Sequence, residues 1–191
     1  MFLSKHFERQ NLEQLKLTVR PRAAWANIEA DARMHLKLID VPEGITNALE
    51  IGCGLGRLLK QLDGIDVHGI DASKSMLAEA KNYAPKATVK WCDGSGSIPY
   101  EDECFDFVFS IIVFQHIPDT AAVQRYLTEA HRVLRPGGRL HFQVLDHEMG
   151  RGPLWTYHPI GKLRESLAGF DLVTNIRINL WQLFRCKKPL A

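Results

Sequence analysis

Between Asn47 and Leu62 the chain reads NALEIGCGLGRLLKQL: an apolar run meets glycines at every second position, Gly52, Gly54 and Gly56, and passes at once into a helix-period segment. Few arrangements suit such a stretch. A strand that turns sharply into a helix needs backbone with positive φ, which glycine adopts without steric cost, and bare backbone also admits a ligand at close range. The stretch predicts strand, tight turn and helix, the helix GRLLKQL being closed by Asp63 and Gly64. Two common phosphate sites are ruled out by spacing. The dinucleotide fingerprint wants its third glycine at position 57 and the phosphate loop wants a glycine there too, whereas this chain has Arg57.

The pattern continues along the chain. DVHGID (Asp66 to Asp71) predicts a second strand, and SKSMLAEAKNYA a helix with Ser73 as its N-cap. ATVKW (Ala87 to Trp91) is a third strand, and FDFVFS (Phe105 to Ser110) a fourth, apolar at nearly every position as a buried parallel strand should be. Asp119 opens a long helix with Val123, Tyr126, Leu127, Ala130, Val133 and Leu134 on one stripe, stopped by RPGG, and RLHFQVL (Arg139 to Leu145) is the fifth strand. Strands alternating with helices predict an α/β fold: a Rossmann-like, open, mostly parallel sheet of seven strands with helices on both faces. The ends depart from this rhythm. Residues 22–40 predict an amphipathic helix carrying Trp25, Ile28, Ala32, Leu36 and Ile39. DLVTNIRI and LWQLFRCKK, separated by Asn179, predict a C-terminal antiparallel hairpin.

A chain of 191 residues suits one domain with a full core. We divide it into an N-terminal helical cap (1–43), a ligand-binding core (44–145) and a substrate-side loop, helix and hairpin (146–191). With 24 basic and 22 acidic residues and no basic block, it shows no electrostatic footprint for nucleic acid or an anionic membrane. Four dispersed cysteines form no C-x-x-C pair and read as reduced thiols rather than disulfides or a zinc site. The start, MFLSKHFERQ, lacks the apolar centre of a signal peptide, and no apolar run of about 18 residues occurs. The expected setting is cytoplasmic, without membrane partners.

In an open α/β sheet, ligands bind beyond the carboxyl ends of the strands. The shortlist is therefore Glu50 with the three glycines, Asp71, Asp93 with Gly94, and the segment Ile111 to His116. Asp71 follows Gly52 by 19 residues, close to the offset of a ribose-binding acid in this topology. Carboxylates at three strand ends, with no lysine in the turn, suit a cationic nucleoside without phosphate.

The motif E-x-G-x-G-x-G, from Glu50 to Gly56, resembles the first motif of class I S-adenosylmethionine-dependent methyltransferases. WCDGSGSIPYEDECFDFVFS, FSIIVFQHIPD and HRVLRPGGRLHF resemble the family's following blocks, in order, so that the similarity covers most of Ala48 to Leu145. The resemblance implies S-adenosyl-L-methionine as cofactor. It places the glycine turn, Cys53 included, under the methionine and ribose, Glu50 near the amino end, Asp71 on the ribose hydroxyls and Asp93 on the adenine amine. Gly94 supplies adjacent backbone, and Ala72, Met76 and Ile112 complete the cofactor set.

On the acceptor side, His116 and His158 are the candidate bases, since an imidazole takes a proton near neutral pH. Gln115, Trp155 and Tyr157 are the candidate substrate-binding residues, and Gln115, standing where many members have Glu, argues against a metal. Each has a plainer reading beside it. Asp71 could cap a helix, Asp93 could close an Asx-turn, His116 could order its loop, and Trp25 and the aromatic residues after strand five could be packing. The expected activity is in-line methyl transfer to a small-molecule acceptor. The rivals are a nicotinamide-dependent oxidoreductase on a related fold and a protein that binds the cofactor without turnover.

Overall fold

The computed structural model describes residues 28–145, 155–178 and 180–190. Trp25 and the turn residue Asn179 lie outside them. The seven strands are β1 (Asn47–Ile51), β2 (Asp66–Asp71), β3 (Thr88–Trp91), β4 (Phe105–Ser110), β5 (Leu134–Leu145), β6 (Asp171–Ile178) and β7 (Trp181–Lys187). They form one sheet in the order β3-β2-β1-β4-β5-β7-β6. β1 to β5 run parallel, and β7 lies antiparallel between β5 and β6. The order reverses at β1 and β4, the place where such a sheet opens a crevice.

Helices cover both faces. α1 (Ile28–Ile39) and α2 (Lys74–Tyr83) lie on one side, where Ala32, Ile39 and Leu77 pack with Ala48, Phe107 and Phe109. α3 (Thr120–Val133) and α4 (Ile160–Glu165) lie on the other. There the predicted stripe Val123, Tyr126, Leu127, Ala130 and Val133 is buried against Leu49, Val108 and Phe142. Ser73 accepts from the Met76 N–H and Asp119 from the Ala121 N–H, so both long helices start on a side-chain cap.

Two local expectations are corrected. GRLLKQL does not make an α-helix; only Leu59–Gln61 coil, as a 3-10 turn. Lys60 N–H bonds to Gly56 O as in an α-turn, but Gln61 and Leu62 then reach back only three residues, to Leu58 and Leu59. Few residues separate the glycine turn from β2, and Gly64, at φ 76°, ends the coil. β5, in turn, starts at Leu134 rather than Arg139. Leu134 pairs with Phe105 directly after α3, and the register shifts before Phe107 meets Arg139. RPGG is accommodated as an irregularity inside the strand, with Gly137 at φ 80° and its N–H bonded to Lys188 O.

The C-terminus of α1 is held by the sheet. His141 of β5 donates from Nδ1 to Ile39 O at 2.6 Å, and Arg185 of β7 donates to Leu38 O at 3.1 Å while pairing with Asp40. These side chains satisfy helix-end carbonyls that would otherwise be orphaned. Burial lowers the His141 pKa from 6.5 to about 4. Between those values the unfolded chain binds the extra proton and the folded one does not, so this group makes stability rise with pH across the window. The expected slope is about 1.4 kcal/mol per pH unit, and about 3 kcal/mol is lost between pH 6.5 and 4. Urea unfolding of His141→Asn across that range should show a flatter profile than the parent, and an unchanged slope would refute the assignment.

Candidate functional site

β1 delivers the glycine turn to the crevice. Gly52 and Cys53 both donate to Ile70 O, at 2.8 and 3.0 Å, which folds the turn back across the end of β2. Gly52, Gly54 and Gly56 have φ of 77°, 53° and 79°. At Gly52 the bare backbone is needed for a second reason: a Cβ would stand 2.5 Å from both methyls of Val113 in the segment after β4. The turn and the post-β4 segment are thus neighbours across the switch point.

Asp71 ties the turn to α2. Its Oδ2 accepts from Gly54 N–H and its Oδ1 from Ser73 N–H, each at 2.8 Å. Burial raises its pKa, and bonds from the backbone of Ser73, Gly54 and Ala72 oppose that rise. The predicted cap is therefore Ser73, and Asp71 sits one step earlier, fixing the geometry in which the cap works. Met76 reaches over the turn, its methyl 3.2 Å from where a Gly54 Cβ would be. Trp91, at the end of β3, donates to Ala72 O at 3.1 Å.

Glu50 is the least comfortable group in the molecule. It is buried, its Oε2 has no hydrogen-bond partner, and burial drives its pKa well above the usual carboxylate value. The Arg57 charge opposes that rise only in part, its guanidinium being bonded to Asp31 at 2.8 Å and to His35 on α1. An unpartnered buried carboxylate costs about 1–3 kcal/mol or more unless a ligand completes it. A cationic ligand does so.

Asp93 is exposed and closes the Asx-turn, accepting from Ser95 N–H at 2.9 Å; bonds from the Ser95 hydroxyl and then its N–H lower the Asp93 pKa. Beside it, Gly94 is buried. The following loop is fastened to α3: Arg125 donates to Ser95 O, Glu129 accepts from Ile98 N–H, and Arg132 donates to Ile98 O and Tyr100 O. Cys53 lies in the glycine turn. Its thiol is buried over Gly69, with its pKa raised by desolvation.

After β4, Ile112 has φ 58°, a strained conformation for a β-branched residue, held by a bond from its N–H to Gln143 Oε1 at 3.0 Å. Gln115 is fully buried; its Nε2 lies 3.3 Å from His116 Nε2, and its Oε1 has no partner. Trp155 meets His116 edge-on at 6.5 Å, and Tyr157 is half-buried nearby in sequence.

His158 is placed where it cannot act as the base. It is fully buried, Nε2 donates to Phe114 O at 2.9 Å, and Nδ1 accepts from Thr120 Oγ1 at 3.0 Å. Burial lowers its pKa, and both nitrogens are engaged. With Thr156 N–H bonded to Gln115 O at 2.6 Å, it fastens the 155–158 segment onto the segment after β4. Sequence reasoning missed Thr120, Gln143, Trp91 and Trp181; of these only Trp181 left a signal, as the first residue of a hairpin strand ending at the same sheet edge. A separate cavity of about 260 Å³, lined by Ile45, Asp106, Arg135 and Gly137, opens at the opposite, amino-end edge and has no part in this site.

With this geometry in view, residues 49–142 match the family described as Methyltransferase domain. Over that stretch the chain is similar to class I S-adenosylmethionine-dependent methyltransferases. It is 36% identical over 99 residues to phosphoethanolamine N-methyltransferase 2 of Caenorhabditis elegans, covering 48% of this chain and 22% of that protein. It is 32% identical over 111 residues to demethylmenaquinone methyltransferase of Tropheryma whipplei, covering 56% of this chain and 45% of that protein. The chain thus spans less than half the length of these relatives. In fold it is similar to a SAM-dependent methyltransferase from Aquifex aeolicus, with a TM-score of 0.68 at 22% identity, covering 93% of this chain and 98% of that one. The superfamily's cofactor is S-adenosylmethionine. The unpartnered Glu50 carboxylate and the bare turn over Asp71 fit a cationic nucleoside.

Proposed function

We propose that this chain is a methyltransferase that uses S-adenosylmethionine to methylate a small molecule. The observation that carries the reading is Glu50: a buried carboxylate with one oxygen lacking a partner, at the end of β1, beside backbone that glycine keeps bare. Bound there, the cofactor supplies a methyl group made electrophilic by its sulfonium. Glu50 would take the amino end, the Gly52 to Gly56 backbone the methionine and ribose, Asp71 the ribose hydroxyls and Asp93 with Gly94 the adenine edge. Ala72, Met76 and Ile112 would line the same pocket.

The protein's share of the work is then orientation. Holding donor and acceptor in line contributes about 7–11 kcal/mol when the geometry is right. His116, whose Nε2 lies 3.3 Å from Gln115 Nε2, is the candidate base for an acceptor that carries a proton, and would have to release that amide to act. The near-balanced charge supports a small acceptor over nucleic acid, as do relatives whose names specify phosphoethanolamine and demethylmenaquinone. Among the described residues no helix is long and apolar enough to cross a membrane, and Cys53, Cys92, Cys104 and Cys186 are all free thiols, which supports a reducing, cytoplasmic setting.

Calorimetric titration with S-adenosylmethionine, S-adenosylhomocysteine and NADH tests the reading. We expect saturable binding of the first two and none of NADH. Binding of NADH with no response to the methyl donor would overturn it.

A further inference from the structure

Glu50, Arg57, Asp31 and His35 lie on one face of the sheet, where α1 meets the glycine turn. Side chains alternate across β1, so Glu50 shares its face with Ala48, which packs with Ala32 and Ile39 of α1. Arg57 leaves the turn directly after Gly56 and donates to Asp31 Oδ2 at 2.8 Å, with His35 Nδ1 3.1 Å from the same guanidinium nitrogen. With only 23% of each side chain exposed, the Arg57–Asp31 pair is shielded from the solvent that weakens surface ion pairs. α1 is a firm anchor for it: Ala32 and Ile39 are fully buried, and His141 and Arg185 fasten the helix end. Glu50 Oε2, meanwhile, is buried and has no partner.

An arginine near a buried carboxylate ordinarily pairs with it, because the guanidinium fork matches a carboxylate and a buried charge left single is costly. Here the Arg57 charge is felt at Glu50, yet its hydrogen bonds go to α1. We infer that Asp31 is a positioning residue: by holding the Arg57 guanidinium on α1, it keeps the Glu50 carboxylate open for the cationic end of a ligand. The inference rests on the methyl-transfer reading and adds why the protein's own cation does not fill the pocket. Asp31 and Glu50 compete for one guanidinium. Asp71, also felt at Glu50, is an anion and makes that place still more attractive to a freed Arg57.

Calorimetry with S-adenosylmethionine on Asp31→Asn, Arg57→Gln and the double variant tests this. Asp31→Asn should bind about tenfold more weakly, since the freed Arg57 must be displaced from Glu50 before the ligand enters. Arg57→Gln should bind at least as tightly as the parent, and adding it to Asp31→Asn should restore the parent's affinity to within roughly twofold. Asp31→Glu, which keeps the charge, should bind like the parent. A mere brace between α1 and the turn predicts the opposite pattern, in which either single variant loses affinity alike and the double recovers nothing. That pattern, or full affinity in Asp31→Asn, overturns the inference. A loss of about tenfold in Arg57→Gln alone does so too, and it needs no folded Asp31→Asn protein.

Melting curves of the ligand-free protein in mildly alkaline buffer read the same contact without a cofactor. Glu50→Gln should raise the melting temperature of the parent and fail to raise that of Asp31→Asn, where the carboxylate has found Arg57. An equal rise in both backgrounds overturns the inference. If the parent binds neither S-adenosylmethionine nor S-adenosylhomocysteine, the methyl-transfer reading falls, and these curves still decide whether Asp31 holds Arg57 away from Glu50.

Discussion

Glu50→Gln should make the ligand-free protein more stable while weakening its hold on S-adenosylmethionine. The two effects have one origin. In the empty pocket the Glu50 carboxylate is desolvated and one oxygen has no partner, so ionising it is costly and its pKa rises. A carboxyl whose folded pKa lies above its unfolded value favours the fold below the unfolded pKa, and that contribution is lost as pH rises through the folded pKa. Glutamine keeps the shape and removes the charge. The gain should therefore grow with pH, reaching about 1–3 kcal/mol in mildly alkaline buffer, or a rise in melting temperature of roughly 2–10 °C for a chain of this size. Affinity for the cationic cofactor should fall at least tenfold, as expected when a charge-assisted bond becomes neutral. Melting curves and calorimetry on the same samples read both. Parallel losses of stability and affinity would mean that Glu50 serves only to brace its own turn.

Gly54→Val should abolish cofactor binding and leave the domain folded. Gly54 sits at φ 53°, which costs a non-glycine residue about 1–2 kcal/mol, and its N–H is one of those that orient Asp71. The space around it is forgiving: a Cβ would meet only the end of the Met76 side chain, at 3.2 Å, which is free to swing. The substitution therefore places a branched side chain over the proposed cofactor bed without breaking the core. The melting temperature should drop by roughly 2–8 °C, and no S-adenosylhomocysteine heat should be measurable at concentrations that saturate the parent. Retained affinity would show that the pocket lies elsewhere. Gly52 offers no such clean test, because there the added atom strikes Val113 and the fold itself suffers.

Much of the fold could be read from local pattern, because most elements are set by nearby residues. The stripe on α3 and the caps Ser73 and Asp119 are properties of single segments, and the apolar β4 announces a strand covered on both faces. The positions of Glu50, Asp71, Asp93 and Gln115 at strand ends follow from the same alternation. What was not legible depends on distant partners. The helix expected after the glycine turn was cut short by the chain's need to reach β2, and the early start of β5 was decided by Phe105, which sequence spacing does not reveal. Likewise, nothing near His158 in the sequence tells that Thr120 and Phe114 occupy both of its nitrogens. The place of Trp181 required knowing that β7 starts at the edge where β5 ends.

α3 has a consequence for how the two ends of the crevice are related. Its middle, through Arg125, Glu129 and Arg132, grips the loop that follows Asp93, and its first residue, Thr120, grips His158 and with it the segment bearing Trp155. One rod therefore carries both jaws. A displacement of α3 would move both, so the span between the loop after Asp93 and the segment bearing Trp155 follows a single helix rather than the sheet beneath it.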